Sequence, residues 1–222
     1  MPNELFERRD RDVLIVVDVQ YDFLPGGSLA VPDGDAVIGS INRLGQLFPH
    51  IVLTQDWHPS GHASFASSHP ERDPFDTIDL PYGRQVLWPD HCVQGTRGAE
   101  IAGELDVRAE LIIRKGYNPR IDSYSGFMEA DRATRTGLAG YLVERGFRRV
   151  YCVGLATDFC VAWTAQDACR LGFETFVIED ATRGIDQGGS MAKALADMRT
   201  AGVGLLTMAD VIGSPGDARR TS

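Results

Sequence analysis

Short apolar runs alternate along the chain with segments in which apolar residues recur at helical spacing. The runs are rich in β-branched residues and end at polar or glycine-containing turns, which is typical of buried strands. They occupy residues 13–17, 51–54, 111–115, 149–153 and 175–180, with a weaker run at 202–206. The pattern therefore predicts about six strands.

The segments of helical spacing fall between these runs, at about 33–48, 138–146, 157–171 and 190–200. In the third of them, Thr157 or Asp158 is the candidate N-cap and Gly172 is the residue that closes the helix. Strands that alternate with helices imply a parallel sheet with right-handed crossovers. We therefore predict an α/β protein with three α/β/α layers and a mainly parallel, doubly wound sheet of about six strands.

Neither an internal repeat nor a linker divides the chain, so residues 1–222 are expected to form one domain. Its core should span about 13–206, and the tail at about 213–222 should be loose. A long segment from Trp57 to about Arg108 is rich in Pro, Gly, Ser and His and has little periodicity. A loop of this length is unusual unless it has a function.

Composition narrows the classes of partner. The formal net charge of −9 argues against nucleic acid and against anionic membranes, and it favours a small-molecule substrate. The N-terminus has no apolar targeting segment and no run is long enough to cross a membrane, so a cytoplasmic location is expected. The four cysteines form no CxxC pair, which disfavours a disulfide framework or a structural zinc cluster. The sequence leaves open whether the protein forms a homo-oligomer.

Polar residues follow several of the predicted strands. Asp18, Asp56, Lys115, Cys160 and Asp180 each lie at or just after a different strand's carboxyl end, where parallel sheets bind their ligands. Each alone has a structural explanation, as a cap, a turn former or a solvated end residue. Their convergence on one edge favours a functional interpretation for Asp18, Lys115 and Cys160, whereas Asp180 is expected to be structural.

Cys160 is the candidate nucleophile. It falls in the first turn of a predicted helix, where free N–H groups and the helix dipole favour a thiolate. Asp18 could act as its base, and the Lys115 ammonium could keep that carboxylate ionised. A Cys-His dyad formed through the fold stays open, because sequence distance does not exclude it.

Asp56, His58 and His91 form a candidate metal site. Residues at i and i+2 of an extended segment point to the same side, so Asp56 and His58 can converge on one ion while His91 arrives from the long loop. Three N/O ligands leave positions open for water or substrate. His62 and His69 are expected to be loop residues that could add a ligand, and His50 is expected to be structural.

Six motifs together resemble nicotinamidases of the isochorismatase-like cysteine hydrolase superfamily, over roughly residues 13–206. The Cys160 motif marks the amidases of the superfamily, and the motifs around Asp56 and His91 resemble its metal-containing nicotinamidase branch. The motifs are Asp18-Val19-Gln20-Tyr21-Asp22-Phe23, Asp56-Trp57-His58-Pro59, Trp88-Pro89-Asp90-His91-Cys92, Arg114-Lys115-Gly116, Asp122-Ser123-Tyr124-Ser125-Gly126-Phe127 and Gly154-Leu155-Ala156-Thr157-Asp158-Phe159-Cys160-Val161.

The resemblance implies amide C–N hydrolysis that converts nicotinamide to nicotinate and ammonia in NAD salvage, with pyrazinamide as a further possible substrate. It implies Cys160 as the nucleophile that forms a thioester, Asp18 as the proton carrier, and Lys115 as the group that holds both in their charged forms. It also implies an oxyanion hole from the backbone N–H groups of Ala156 and Cys160, with a cis peptide at Leu155-Ala156.

For the remaining site residues, the resemblance implies one divalent ion on Asp56, His58 and His91, with zinc preferred and manganese or iron as alternatives. The ion would receive the pyridine nitrogen and orient the substrate. The residues implied around the ring are Phe23, Trp88, Tyr124 and Leu155. Some relatives add a fourth protein ligand, whereas the corresponding stretch here offers Ser64 and Ser67, so water could complete the shell.

Three alternatives remain at this stage. The nearest is another amidase of the same superfamily that acts on a ureido or carbamoyl substrate. A non-catalytic small-molecule binding protein would keep the fold without the reaction. A thiol redox protein is disfavoured because no second cysteine lies near Cys160 in sequence.

Overall fold

The computed structural model describes residues 9–212, and the predicted loose tail at 213–222 lies outside them. Its strands and helices are β1 (Asp12–Val17), α1 (Ala36–Gly45), β2 (Ile51–Asp56), β3 (Thr77–Leu80), β4 (Gly83–Val86), β5 (Leu111–Lys115), α2 (Leu138–Glu144), β6 (Arg149–Leu155), α3 (Ala162–Arg170), β7 (Glu174–Arg183), α4 (Ser190–Ala201), β8 (Gly204–Leu206) and α5 (Met208–Ile212). Every predicted strand and helix is present near its expected position.

Six strands form one parallel sheet in the order β5-β2-β1-β6-β7-β8. The order reverses direction beside β1, as in a doubly wound fold. The predicted α/β architecture with a mainly parallel sheet is therefore confirmed.

The core lies on both faces of this sheet because successive side chains of a strand point to opposite faces. Leu14 and Val16 of β1 pack with Val37 and Ile41 of α1 on one face. Val13, Ile15 and Val17 pack on the other face with the apolar residues of α2, α3 and α4. All six residues of β1 are buried, which explains why this strand reads as a continuous apolar run.

Three of the strands and helices were not predicted: β3, β4 and α5. The long segment after Trp57 contains the antiparallel hairpin β3–β4, whose residues are mostly exposed or half-buried and therefore lack a clear alternating pattern. The short helix α5 follows β8 directly, and the Asp180 carboxylate accepts a hydrogen bond from Met208 N at its first residue, at 2.8 Å. This contact agrees with the structural role expected for Asp180.

The local structure around Cys160 corrects the predicted helix start. Residues Thr157–Val161 form a π-helical turn, and α3 begins only at Ala162. Ala156 stands at the N-cap position, so neither Thr157 nor Asp158 caps the turn as predicted. Five residues are little more than one turn of either helix, which is too short for the apolar spacing to separate a π turn from an α turn. Gly172, with φ +92°, follows the end of α3 as predicted.

Within residues 9–212, none of the helices combines the length and the apolar character needed to span a bilayer.

Candidate active site

Four neighbouring strands bring the predicted chemical groups together. Asp18 follows β1, Asp56 ends β2, Lys115 ends β5 and Cys160 lies in the turn after β6. Because these strands are adjacent and parallel, their carboxyl ends meet at one edge. All four residues are buried.

Lys115 Nζ lies at the centre of the cluster. It is 2.8 Å from Asp18 Oδ2, and it donates hydrogen bonds to Asp56 Oδ1 at 3.0 Å, to the Ser123 carbonyl oxygen at 2.9 Å and to Cys160 Sγ at 3.4 Å. An ammonium has three protons, so the four neighbouring acceptors share them. The contact with Asp18 is the shortest of the four and joins two opposite charges.

The two carboxylate oxygens of Asp18 have different neighbours. Oδ1 accepts a hydrogen bond of 2.6 Å from Thr54 Oγ1, while Oδ2 faces the Lys115 ammonium at 2.8 Å. Asp18 also has a φ of +47°, which is uncommon for a residue with a Cβ. Strained backbone of this kind is often found at functional sites. An ionised carboxylate beside a thiol can accept its proton.

Burial dominates the electrostatics of these groups. Burial raises the pKa of Asp18, although the Lys115 ammonium opposes the shift. Burial by itself lowers the pKa of Lys115, but attraction to Asp18 and Asp56 outweighs it and places that pKa well above its ordinary value. Burial also raises the pKa of the Cys160 thiol well above its usual range, again opposed by Lys115. Burial therefore opposes the thiolate that the helix dipole favours, and a neighbouring base would help to form it.

The predicted metal ligands lie within reach of one ion. Asp56 Oδ2 is 3.2 Å from His58 Nε2 and 3.6 Å from His91 Nε2. His58 Nδ1 contacts the Gly116 carbonyl oxygen at 2.9 Å, and His91 Nδ1 contacts that of Pro89 at 2.8 Å. Carbonyls only accept hydrogen bonds, so both Nδ1 atoms carry a proton, and the Nε2 atoms that face Asp56 are the ones that could bind an ion.

The other histidines do not extend this group of ligands. His62 Nδ1 contacts Ser64 Oγ at 2.7 Å and its Nε2 contacts the Asn118 carbonyl oxygen at 2.8 Å, so both ring nitrogens have partners. His62, His58 and Asp122 form a second group of possible ligands, but His58 already directs its Nε2 at Asp56. His69 contacts the Ala63 carbonyl oxygen.

The remaining candidates for the metal shell have other partners. Ser67 Oγ donates to Asp90 Oδ1 at 2.5 Å, and Ser64 Oγ is the partner of His62. His50 contacts Glu110 at 3.0 Å and packs on Phe147, which agrees with its expected structural role. Within the described residues, the shell around Asp56, His58 and His91 therefore has no obvious fourth protein ligand.

A small, mainly apolar cavity opens beside Cys160 and the metal group. Phe23, Trp88 and Tyr124 line it, as expected for residues around a ring. Leu155 does not: it is fully buried, and its side chain packs in the core on the α1 side of the sheet. The structure therefore gives no contact through which the Leu155 side chain could meet a ligand in this cavity.

Four lining residues had not been singled out: Leu29, Asp122, Phe159 and Ile185. Phe159 packs edge-on against Trp88, with ring centroids 4.9 Å apart. Asp122 accepts hydrogen bonds from Ser123 N at 2.8 Å and from Gln85 Nε2 at 2.7 Å. Asp122 and Phe159 lie inside motifs quoted above, so the sequence did offer a signal for them. Leu29 and Ile185 lie outside those motifs, and no sequence pattern marked them as cavity residues.

The peptide bond between Leu155 and Ala156 is cis, as the resemblance implied. Ala156 and Cys160 both line the cavity. Ala156 is the N-cap residue of the π turn, and Cys160 lies within that turn. An oxyanion hole requires donors held rigidly beside the nucleophile, and the backbone N–H groups of these two residues are the candidates.

The chain is similar in sequence to a known domain family and to known proteins. The isochorismatase domain model matches residues 12–210. A nicotinamidase of Acinetobacter baylyi is 58% identical over 200 residues, which are 90% of this chain and 94% of that protein.

Solved structures are also similar. The Acinetobacter baumanii nicotinamidase/pyrazinamidase is 57% identical with a TM-score of 0.90, covering 91% of this chain and 98% of that one. A pyrazinamidase of Pyrococcus horikoshii, solved in complex with zinc, is 37% identical with a TM-score of 0.73, covering 89% of this chain and 99% of that one.

Proposed function

The chain belongs to the isochorismatase family, and from this premise we propose that it hydrolyses nicotinamide to nicotinate and ammonia, with Cys160 as the nucleophile. The nicotinamidase identity of the similar proteins supports the reaction. The contact between Cys160 Sγ and Lys115 Nζ, with Asp18 beside the same ammonium, is the observation that carries the proposed mechanism.

The first half of the reaction forms a thioester. Asp18 Oδ2 takes the proton of the Cys160 thiol, and the sulfur attacks the carboxamide carbon. The N–H groups of Ala156 and Cys160 hold the oxygen that becomes negative. Asp18 then gives its proton to the amide nitrogen, the C–N bond breaks and ammonia leaves.

The second half releases the acid. Asp18 takes a proton from a water molecule, whose oxygen attacks the thioester carbon. The C–S bond breaks, nicotinate leaves, and the proton held by Asp18 returns to Cys160. Lys115 keeps Asp18 ionised at the start of each half and faces the sulfur whenever it is negative. One water is consumed and one ammonia is released.

The residues present fit a divalent ion. Asp56 Oδ2, His58 Nε2 and His91 Nε2 would hold it, and the ion when bound would receive the ring nitrogen and orient the substrate. Asp18, Asp56 and Asp122 with Lys115 give this buried region a formal charge of −2, which a divalent cation neutralises. Zinc is the preferred identity because it suits one carboxylate and two imidazoles, and manganese or iron are alternatives.

The cavity walls fit a small aromatic amide. Phe23, Trp88, Tyr124 and Phe159 surround the space next to Cys160, and aromatic side chains can stack on a ring or meet its edge. Pyrazinamide differs from nicotinamide only by a second ring nitrogen, so the same walls and the same nucleophile would accept it.

An ammonia-release assay with nicotinamide tests the proposal. The wild type should release ammonia and nicotinate in equal amounts, and Cys160→Ala should lose nearly all activity. Cys152→Ala is the matched control, because Cys152 is a buried thiol in β6 that is not among the residues lining the cavity. Release of ammonia only from ureido or carbamoyl compounds, or full activity of Cys160→Ala, would contradict the proposal.

A further inference from the structure

We propose that Asp158 is a positioning residue that holds Ile185 against the substrate cavity. Asp158 lies two residues before Cys160 in the π turn and is 6% exposed. Ile185 lies in the segment 184–189, which joins β7 to α4, and its side chain lines the cavity. This inference rests on the proposed function, because it concerns the binding of that substrate.

Three donors from the segment and the start of α4 converge on the Asp158 carboxylate. Ile185 N donates to Oδ1 at 3.0 Å, Asp186 N donates to Oδ2 at 2.8 Å, and Ser190 Oγ donates to Oδ2 through a short hydrogen bond. Both carboxylate oxygens are therefore used. Hydrogen bonds to an ionised acceptor are stronger than those between neutral groups, so this carboxylate can fix the segment.

The backbone of the segment needs such support. Asp186, Gly188 and Gly189 have φ values of +54°, +59° and +85°, and a left-handed conformation is unfavourable for an aspartate. The segment also passes very close to Asp158, since a Cβ at Gly184 would lie 3.0 Å from Asp158 Oδ1. The hydrogen bonds at Ile185 N and Asp186 N therefore hold a chain that would otherwise relax.

Asp158 does not itself line the cavity, within the described part of the chain, so it acts through Ile185. The same carboxylate is part of the turn that carries Cys160, so it sets the spacing between one apolar wall and the nucleophile. A substrate ring placed in the cavity is confined by that wall. Losing the support should weaken substrate binding more than it slows the chemical steps.

The test compares Asp158→Asn, Ile185→Ala and the double variant in the ammonia assay. An Asn side chain keeps the size but replaces one acceptor oxygen with an NH₂ group, which then faces a backbone N–H. We expect each single variant to raise KM about tenfold with kcat changed less than about threefold. The KM of the double variant should exceed that of the more impaired single variant by no more than about threefold, because both substitutions act on one wall of the cavity.

Amide hydrogen exchange supplies a readout that does not depend on activity. Exchange at Ile185 and Asp186 should be faster in Asp158→Asn and, to a smaller extent, in Ser190→Ala, which removes one of the three donors and serves if Asp158→Asn does not fold. Asp210→Asn is the control, because Asp210 makes similar contacts with Thr207 N and Oγ1 away from the cavity.

The inference would be overturned if the double variant raised KM by the product of the two single effects, or if kcat fell while KM stayed unchanged. Unchanged amide exchange in both Asp158→Asn and Ser190→Ala would also overturn it. A wild type that releases no ammonia from nicotinamide would instead contradict the proposed function, and the exchange measurement would still decide whether Asp158 holds the segment.

Discussion

Lys115 Nζ lies 3.0 Å from Asp56 Oδ1, so the ammonium beside the candidate nucleophile also contacts a candidate metal ligand. The other oxygen of Asp56 faces His58 and His91. One carboxylate thus connects two groups of residues that the sequence presented separately. Replacing Lys115 by an uncharged residue would leave Asp18 and Asp56 as two buried carboxylates without their shared cation. Catalysis, metal binding and stability are therefore linked through Lys115.

Lys115→Met should therefore impair both activity and stability. We expect kcat/KM for nicotinamide to fall by about 10²–10⁴-fold, because neither Asp18 nor the sulfur keeps its counter-charge. The free energy of unfolding should fall by about 3–5 kcal/mol, the usual cost of removing one partner from a buried ion pair. Ammonia release and urea unfolding measure the two effects.

Lys193→Met is the control for this substitution. Lys193 pairs with Asp197 on α4, and its side chain is 77% exposed. Exposed pairs contribute little, so both measurements should stay close to those of the wild type. An active Lys115→Met variant would remove Lys115 from the proposed mechanism.

Gly116 offers a test of the metal site that leaves its ligands unchanged. Its φ is +68°, and a Cβ there would lie 2.4 Å from His58 Cε1 and 3.0 Å from Asp56 Oδ1. Gly116→Ala should displace both ligands and lower metal affinity by about 10–100-fold, the range seen when groups that support metal ligands are changed. Metal content per chain, measured by mass spectrometry after dialysis, checks this.

Gly172→Ala separates that effect from backbone strain. Gly172 also has a positive φ, of +92°, but a Cβ there would meet no heavy atom within 4 Å among the described residues. This variant should lose only about 1–2 kcal/mol of stability and keep its metal. Equal metal content in the two variants would contradict the prediction for Gly116.

Removing the metal should mainly weaken substrate binding. If the ion orients the ring while Cys160 and Asp18 do the chemistry, treatment with a chelator should raise KM by a larger factor than it lowers kcat. Added zinc, manganese or iron should restore KM. A loss of kcat with unchanged KM would show that the metal acts in the chemical steps instead.

Two histidine variants show whether the chelator acts at the proposed site. His91→Ala removes one of the three candidate ligands and should behave like the chelated wild type. His69→Ala changes a histidine of the same long segment whose Nε2 contacts the Ala63 carbonyl oxygen, and it should keep both metal and KM.

The sheet and the residues at its edge were predictable because local signals determine them. β1, β2 and β6 are short β-branched runs, and the parallel topology then places whatever follows each run at one edge. Asp18, Lys115 and Cys160 met there for that reason. Spacing alone left the roles of these residues open, and the resemblance to a family supplied the roles that are proposed here.

The parts that sequence missed depend on contacts between distant segments. Gln85 belongs to a mostly exposed hairpin, yet its side chain is buried and donates to Asp122 at 2.7 Å. Ile185 reaches the cavity only because Asp158, in another element, holds its backbone. The burial of Cys160, which opposes the thiolate that the helix dipole favours, was also not predicted.

Glu129 provides a prediction that is independent of the site. It is 1% exposed, and its Oε2 has no hydrogen-bond partner among the described residues. Burial, together with repulsion from Asp131, raises its pKa from 4.5 to about 6. The folded state therefore binds this proton more tightly than the unfolded state does. Stability is lost as pH rises from about 4.5 to above 6, and the loss reaches about 2 kcal/mol near neutral pH.

Glu129→Gln should remove this loss, because a neutral amide has no proton to release. Relative to the wild type, the variant should gain up to about 2 kcal/mol in the free energy of unfolding between pH 4.5 and pH 7.5. Urea unfolding of both proteins across this range measures the gain. Glu144→Gln, an exposed change on α2, is the control and should stay within about 0.5 kcal/mol of the wild type at both ends. A difference between Glu129→Gln and the wild type that stays constant with pH would mean that the Glu129 carboxyl does not titrate abnormally in the folded protein.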